Sequence, residues 1–409
     1  MLRLNQRGIV DASGRIELLV HGEDPMADFD PVSLARGLHP LIREQADETE
    51  RGRRLAKPVV DALRDSGLFM MGLSAAMGGH EVPVGQALRA IEEISYADGA
   101  SGWNVMIAFD TEVWAGFLRG ASRELIRSIS RPIVSGSLSS PGKIEKADGG
   151  YRISGRWKFG SGCQHSDVML VGAVLCEGGK PLLASNGAPQ LLQIALRASE
   201  ITVLDTWRTT GLRGTGSHDF MIDNFVASER ALPLNITEPF EKGPLYAFPM
   251  LASFAVAKGA VALGIARHAI EAFKEIARSK VPATRTAALR ERPAVQIDLA
   301  HAEAKVHSSR AFLHQSVEEG WQELLAGRPI PQQLRALIRL AATDCVKRCA
   351  EAVDLVYNAA AATAIHESCA LERCFRDAHV VTAHVVTQPA MYEAIGRVLL
   401  DLPPDTAVW

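Results

Sequence analysis

The chain reads as an α+β protein in which a helical lobe, an antiparallel β domain and a helical bundle follow one another. Three observations predict this. Apolar residues recur at helical spacing near both ends, short β-rich runs bounded by glycine fill the middle, and strands never alternate with helices. The last point argues against a doubly wound nucleotide-binding sheet.

The elements follow in order. From about residue 31 to 127 the helical spacing is carried by Val59, Val60 and Leu63 and again by Leu88, Ile91 and Ile94, with breaks at Gly67 and Gly78-Gly79. From residue 133 to about 231 the pattern turns to strands such as Tyr151-Arg152-Ile153, Val168-Met169-Leu170-Val171, Ile201-Thr202-Val203-Leu204 and Phe220-Met221-Ile222. After a loop at 233–249, three long alanine-rich segments, 254–278, 294–325 and 332–363, predict helices that pack side by side. The expected boundaries are an N-terminal extension over 1–30, a helical domain over 31–130, a β-barrel-like middle domain over 131–235 and a four-helix bundle over 236–409.

Composition narrows the function. With 47% apolar residues in 409, the chain can bury substantial cores. A net charge of −3 from 44 basic and 47 acidic residues, without a like-charged block, gives no stripe for nucleic acid, so a small molecule is the expected partner. The longest apolar stretch, 254–266, contains Lys258 and is too short to span a bilayer, and the residues after Met1 lack a signal-type apolar core. No membrane association and a cytoplasmic location are therefore expected. Six cysteines without a Cys-x-x-Cys pair read as reduced thiols. Cys345 and Cys349 lie a helical turn apart, but no histidine or acidic residue completes a zinc pattern, so no metal is expected.

Some catalytic patterns fail on spacing. Ser217, His218 and Asp219 are consecutive, so their side chains diverge and cannot form a hydrolase relay. Gly-x-Ser-x-Gly and His-Glu-x-x-His are both absent. Gly211, Gly214 and Gly216 precede β-like sequence rather than a helix, so they form no dinucleotide fingerprint.

Several motifs carry more. Near the C-terminus stands Cys374-Phe375-Arg376-Asp377-Ala378-His379-Val380-Val381-Thr382-Ala383-His384-Val385. Earlier come Asp61-Ala62-Leu63-Arg64-Asp65-Ser66-Gly67-Leu68-Phe69 with Met77-Gly78-Gly79, then Ile91-Glu92-Glu93-Ile94-Ser95-Tyr96-Ala97-Asp98-Gly99-Ala100-Ser101-Gly102-Trp103. The middle holds Gly155-Arg156-Trp157-Lys158-Phe159-Gly160-Ser161-Gly162-Cys163 and Asp205-Thr206-Trp207-Arg208-Thr209-Thr210-Gly211-Leu212-Arg213. From about Asp30 onward these runs resemble the acyl-CoA dehydrogenase superfamily. The resemblance has a gap: Val385 stands where the dehydrogenases carry the glutamate that abstracts the substrate α-proton, and valine accepts no proton. The branch that lacks this glutamate is the group D flavin-dependent monooxygenases, oxygenase components of two-component systems such as p-hydroxyphenylacetate hydroxylase and dibenzothiophene monooxygenase, and the middle runs are similar to theirs.

The resemblance implies a cofactor and a set of residues. Reduced flavin (FMN or FAD) would come from a separate flavin reductase and react with molecular oxygen to a 4a-hydroperoxyflavin, within a homotetramer. Ser161 would hydrogen-bond the reactive flavin nitrogen and hold it protonated; a turn serine is the bland reading. His384 would orient the peroxide or take a proton from substrate, since imidazole titrates near neutrality; a polar surface histidine is the alternative. His379, about 140° away on a continuous helix, reads as structural. Trp103, Phe159 and Trp207 would wall the flavin or an aromatic substrate, if they are not core residues. Arg213 would meet a flavin phosphate or the reactive edge, Arg285 and Gln296 a phosphate from a neighbouring subunit, and Ser137, Ser139 and Thr387 complete the implied cofactor contacts. Members of the branch often carry a histidine a few residues after the Gly-Trp pair; Ala108-Phe109-Asp110 stands here, which argues against a phenol handled by a second histidine. Two other readings remain open: a CoA-ester dehydrogenase with Glu92, Glu93 or Glu367 as a relocated base, and a flavin-free scaffold.

Overall fold

The computed structural model describes residues 9–10, 16–17, 29–281, 287–406 and 409. In the first unit, Met1–Asp30, β1 (Ile9–Val10) pairs antiparallel with β2 (Ile16–Glu17). The second unit, Pro31–Trp409, holds everything else.

Seven helices open the second unit: α1 (Pro31–Gly37), α2 (His39–Glu44), α3 (Ala46–Gly52), α4 (Lys57–Asp65), α5 (Val84–Ala97), α6 (Gly99–Ala115) and α7 (Gly120–Arg127). The expected break after α4 falls at Gly67, whose φ of 80° suits a residue without Cβ. Helix α6 is central. The Asp98 carboxylate caps it by accepting the Ser101 N–H at 2.7 Å, and every residue of the helix except Ile107 is buried. A helix closed on all sides must find partners for each polar side chain it carries.

The middle of the chain forms β3 (Val134–Ala147), β4 (Gly150–Gly160), β5 (Val168–Glu177), β6 (Lys180–Pro181), β7 (Leu191–Arg197), β8 (Thr202–Leu204), β9 (His218–Ala227) and β10 (Ala231–Pro233). They make one sheet in the order β10-β7-β5-β3-β4-β9-β8, with β6 on β5. The expected antiparallel pairing holds for every neighbour but one: β3 and β5 run parallel, Val134 opposite Val168. Because β4 turns back along β3 and then pairs with β9 on its other side, the free edge of β3 goes to β5, which runs in β3's direction. Among the described residues the strand path ends at β8 and β10, so the sheet is open rather than barrel-like. Ile144, Ile153, Trp157, Met169, Ile194 and Phe220 form its core.

A short α8 (Pro244–Ala247) leads into α9 (Met250–Ser279), α10 (Pro293–Leu325), α11 (Gln332–Ala360), α12 (Ala370–Thr382) and α13 (Ala390–Leu399). The three long helices coincide with the segments expected from periodicity, and prolines start them: Pro249 and Pro331 cap α9 and α11, and Pro293 opens α10, where a missing N–H is harmless. Helix α9 is long and apolar enough to cross a membrane, but 94% of its most apolar window is buried inside the protein. It packs on α5, α6, α11 and α12 and is the spine of the bundle.

Candidate active site

A cavity of about 400 Å³ opens where α6, α9, the β3 and β4 strands and the turn after α12 meet. Helix α6 presents Ile107, Asp110 and Trp114 to it, and Trp103 lies on the same face, at steps of four, three and four residues. Helix α9 presents Leu251, Phe254 and Lys258 at the same kind of spacing. Ser137, Ser139, Lys158 and Phe159 come from the strands, and His384 and Val385 from the turn.

Phe159 reaches the cavity because of a bulge. The β4–β9 register shifts between Trp157 and Gly160, and Phe159 takes a left-handed φ of 61° with 68% of its surface exposed. A left-handed aromatic costs about 1 kcal/mol or more, so the surroundings hold this ring outward against its backbone preference. Trp207 meets it edge-on at 6.4 Å and anchors its own indole N–H on the Leu212 carbonyl.

Ser161 lies deeper, 3% exposed, in a directed chain of hydroxyls. The Trp103 indole N–H donates to Ser161 Oγ at 3.1 Å, Ser161 meets Ser217 at 2.6 Å, and Ser217 meets Thr215 at 2.7 Å. Thr215 donates to the Leu212 carbonyl at 2.8 Å, so it must accept from Ser217, which in turn must accept from Ser161. The Ser161 proton therefore points inward, and what the residue retains toward a further partner is an acceptor lone pair. The Trp103 ring packs on His384 with 5.7 Å between centroids.

Helix α12 stops at Thr382, so His384 stands in the following turn and not on a helix continuous with His379. His379 pairs instead with Asp354 at 2.8 Å. The Val386 N–H donates to His384 Nδ1 at 3.3 Å, which puts the ring proton on Nε2, an atom without a hydrogen-bond partner among the described residues. Titration near neutrality, the expectation for this imidazole, does not hold: burial first, and the Lys258 charge second, hold His384 well below its ordinary value. It is a neutral N–H donor and a poor proton acceptor.

Across the cavity, Lys258 and Asp110 form an ion pair, both within 4% of full burial. Burial raises the Asp110 carboxyl to about 6 against the pull of Lys258, and burial likewise lowers Lys258. The pairing uses Asp110 Oδ2; Oδ1 is buried without a partner among the described residues, which costs about 1–3 kcal/mol for a polar atom and more for a charged one. The Lys258 ammonium also sits 5.3 Å from the Phe254 ring centroid.

The remaining residues named from the sequence, apart from Ser137 and Ser139, lie elsewhere. Arg213 lines a separate cavity of about 500 Å³ with Glu50, Arg373 and Arg376, and its guanidinium meets Glu50 at 3.5 Å and the Thr209 carbonyl at 2.9 Å. Thr387 is buried and turns its hydroxyl onto the His384 carbonyl at 3.4 Å. Gln296 is exposed on α10, bonded to the Arg290 carbonyl, and Arg285 lies outside the described residues. Ser137 and Ser139 face each other at 2.8 Å on the cavity wall. None of the relocated bases reaches this cavity: Glu92 is held by Arg267, Arg310 and His314, and Glu93 by Arg36 and Arg267, while Glu367 lines the separate cavity with Arg213. Ser217 diverges from His218 and Asp219 as expected but joins the Ser161 chain, a role its spacing does not reveal. Asp110 and Lys258 were readable only as oddities, a carboxylate where a histidine is usual and a cation in an apolar helix.

A planar ring system fits this arrangement. Phe159 exposes a large apolar face that water covers poorly, Trp207 braces it, and hydroxyls of Ser137 and Ser139 stand beside it. These are the contacts an isoalloxazine needs.

Comparison with known proteins defines the class. The family model for the acyl-CoA dehydrogenase N-terminal domain matches residues 36–137 and that for the C-terminal domain matches 256–389. Indole-3-acetate monooxygenase of Pseudomonas putida is 31% identical over 88% of this chain and 91% of its own. The flavin-dependent monooxygenase oxygenase subunit HsaA of Rhodococcus jostii is 27% identical over 91% and 98%. Among solved structures, 3-HSA hydroxylase from Rhodococcus sp. RHA1 superimposes with a TM-score of 0.85 at 25% identity, covering 93% of this chain and all of that one. The chain belongs to the acyl-CoA dehydrogenase family. Within it, the chain is a flavin-dependent monooxygenase, an oxidoreductase using flavin and molecular oxygen.

Proposed function

We propose that the chain is the oxygenase component of a two-component system: a separate reductase supplies reduced flavin, and one oxygen atom passes to a small aromatic substrate held in the cavity beneath His384. The observation that carries this reading is the pairing of a neutral histidine donor with Val385, 48% exposed on the same cavity wall, where a dehydrogenase needs its base. Relatives acting on indole-3-acetate and on p-hydroxyphenylacetate support an aromatic substrate.

A reduced flavin bound against Phe159 supplies the electrons that activate oxygen. The protein's own part is to bind, to orient and to keep water out. The free lone pair of Ser161 accepts from a flavin N–H, which holds that proton in place while Trp103 and Ser217 fix the serine rotamer. His384 Nε2–H donates to oxygen and aims it, and because Nδ1 is tied to the Val386 amide the ring cannot turn away. Ile107, Leu251 and Phe254 exclude water from the cavity. Long bundle helices with apolar faces support a homotetramer, and the same reading places the enzyme in the cytoplasm, beside its reductase.

Rapid mixing of the protein and anaerobically reduced flavin with oxygen tests this. An absorbance distinct from both reduced and oxidised flavin is expected to persist for seconds or longer; direct reoxidation without it would count against the proposal. Light scattering is expected to give four times the mass of the chain.

A further inference from the structure

Ser161 gives nearly all of its hydrogen-bonding capacity to the protein itself. Its amide N–H goes to the Phe159 carbonyl at 2.9 Å, its carbonyl takes the Ser135 hydroxyl, and its Oγ receives the Trp103 indole N–H. The neighbouring amides are committed too: Gly162 donates to the Thr215 carbonyl at 3.0 Å and Cys163 to the Gly160 carbonyl at 3.1 Å. Among these residues no N–H is left to give a ligand beside Ser161 Oγ.

The hydroxyl proton is committed as well, and Thr215 decides this. Thr215 Oγ1 lies 2.8 Å from the Leu212 carbonyl oxygen and 2.7 Å from Ser217 Oγ. Running the chain the other way, from Thr215 through Ser217 to Ser161, would leave the threonine and carbonyl oxygens facing each other with no proton between them. Thr215 and Ser217 are both buried, so bulk water does not offer the threonine another partner. The order Ser161 to Ser217 to Thr215 is therefore fixed at its far end, two residues away from the one that meets the ligand.

We propose that Thr215 and Ser217 are positioning residues that make Ser161 an acceptor, and not a donor, toward the flavin, so that the site discriminates between the two oxidation states of its cofactor. The inference rests on the reading above in which Ser161 faces the reactive flavin nitrogen. In reduced flavin that nitrogen carries a hydrogen, which the free lone pair of Ser161 accepts. In oxidised flavin the same nitrogen offers only a lone pair, and lone pair then meets lone pair with no donor at hand. The site holds the incoming reduced cofactor and lets the oxidised one leave.

Binding, measured without turnover, tests this: FMN and FAD are each titrated in the reduced state under anaerobic conditions and in the oxidised state. Wild type is expected to hold the reduced form of its flavin at least about tenfold more tightly than the oxidised form. T215V and S217A each free the Ser161 proton to turn outward, so oxidised flavin is expected to gain about fivefold or more in affinity while reduced flavin stays within about threefold. T215S keeps the hydroxyl on Leu212 and is expected to restore the wild-type ratio. A merely structural role would weaken both states and strengthen neither. Equal affinity for the two states in wild type would overturn the proposal, and so would a ratio unchanged in T215V and S217A or a parallel loss of both states. Should T215V fail to fold, S217A decides alone, since it leaves the bond to Leu212 in place. The rapid-mixing experiment is independent: a persistent absorbance without the oxidation-state preference sinks only the polarity of the chain, whereas the preference without that absorbance sinks only the oxygenase reading.

Discussion

His384 is kept a neutral N–H donor because its surroundings forbid it a charge. The asparagine variant H384N, which loses the ring but keeps an N–H, is expected to bind reduced flavin within about twofold of wild type while oxygen transfer falls on the order of 10²-fold, the usual loss when a positioned donor is removed. The same burial has a thermodynamic sign. His384 has a folded value below its unfolded value of 6.5, so below pH 6.5 the unfolded chain binds a proton that the folded chain does not. Wild-type stability relative to H384N should therefore decline by about 1.4 kcal/mol per pH unit as pH drops below 6.5, measured by denaturant unfolding at a series of pH values. Ser161 answers to a different measurement. S161A leaves the Trp103 indole N–H without an acceptor and Ser217 with Thr215 alone, at about 1–3 kcal/mol, and is expected to shorten the persistent absorbance about tenfold. Both residues were named from motif position. The direction of the Ser161 proton was not, because it depends on Thr215 and Leu212, whose approach is tertiary.

The elements divide in the same way. Helices α9, α10 and α11 were legible to within about four residues at their ends, since a period near 3.6 and a flanking proline are local signals. The parallel β3–β5 pair was not, because alternation along a strand says nothing about which neighbour it chooses. The bulge in β4 belongs to this second kind: glycine follows Phe159 in the sequence, yet it is the phenylalanine that takes the left-handed angle. Replacing Phe159 by glycine removes that strain together with the exposed ring. F159G is expected to keep or raise the melting temperature while weakening flavin binding about tenfold, read by titration with reduced flavin. Helix α11 contributes through Arg339, fully buried, which donates to the carbonyls of Leu251 and, at 3.1 Å, of Val386. It ties the start of α9 to the His384 turn. R339M is expected to cost about 3–5 kcal/mol and to speed amide exchange across 384–388 more than elsewhere, measured by mass spectrometry.

At the scale of the whole molecule the lobes were legible and their junction was not. Composition gave a helical lobe, a β domain and a bundle, but the cavity is built from α6, α9, two strands and a turn that only docking brings together. Lys258 and Asp110 stand 148 residues apart, and neither neighbourhood in sequence hints at the other. The Arg376-Asp377 pair, first noticed as part of a motif with its base missing, is a weld: the Asp377 carboxylate accepts the Leu212 N–H at 2.5 Å across 165 residues, and Arg376 reaches Thr210. Leu212 takes the Thr215 hydroxyl, Thr215 leads through Ser217 and Ser161 to Trp103, and Trp103 packs on His384, seven residues beyond Asp377. The path closes on itself: each link between lobes needs two of them to meet, and the whole closes only when all three have. Closure of this ring is therefore a late event on the folding pathway, set by contacts of high sequence separation. Trp103 is its built-in reporter: quenching of this indole by its neighbours should lag behind the gain of helix in a refolding experiment, timing the moment at which separate lobes become one enzyme.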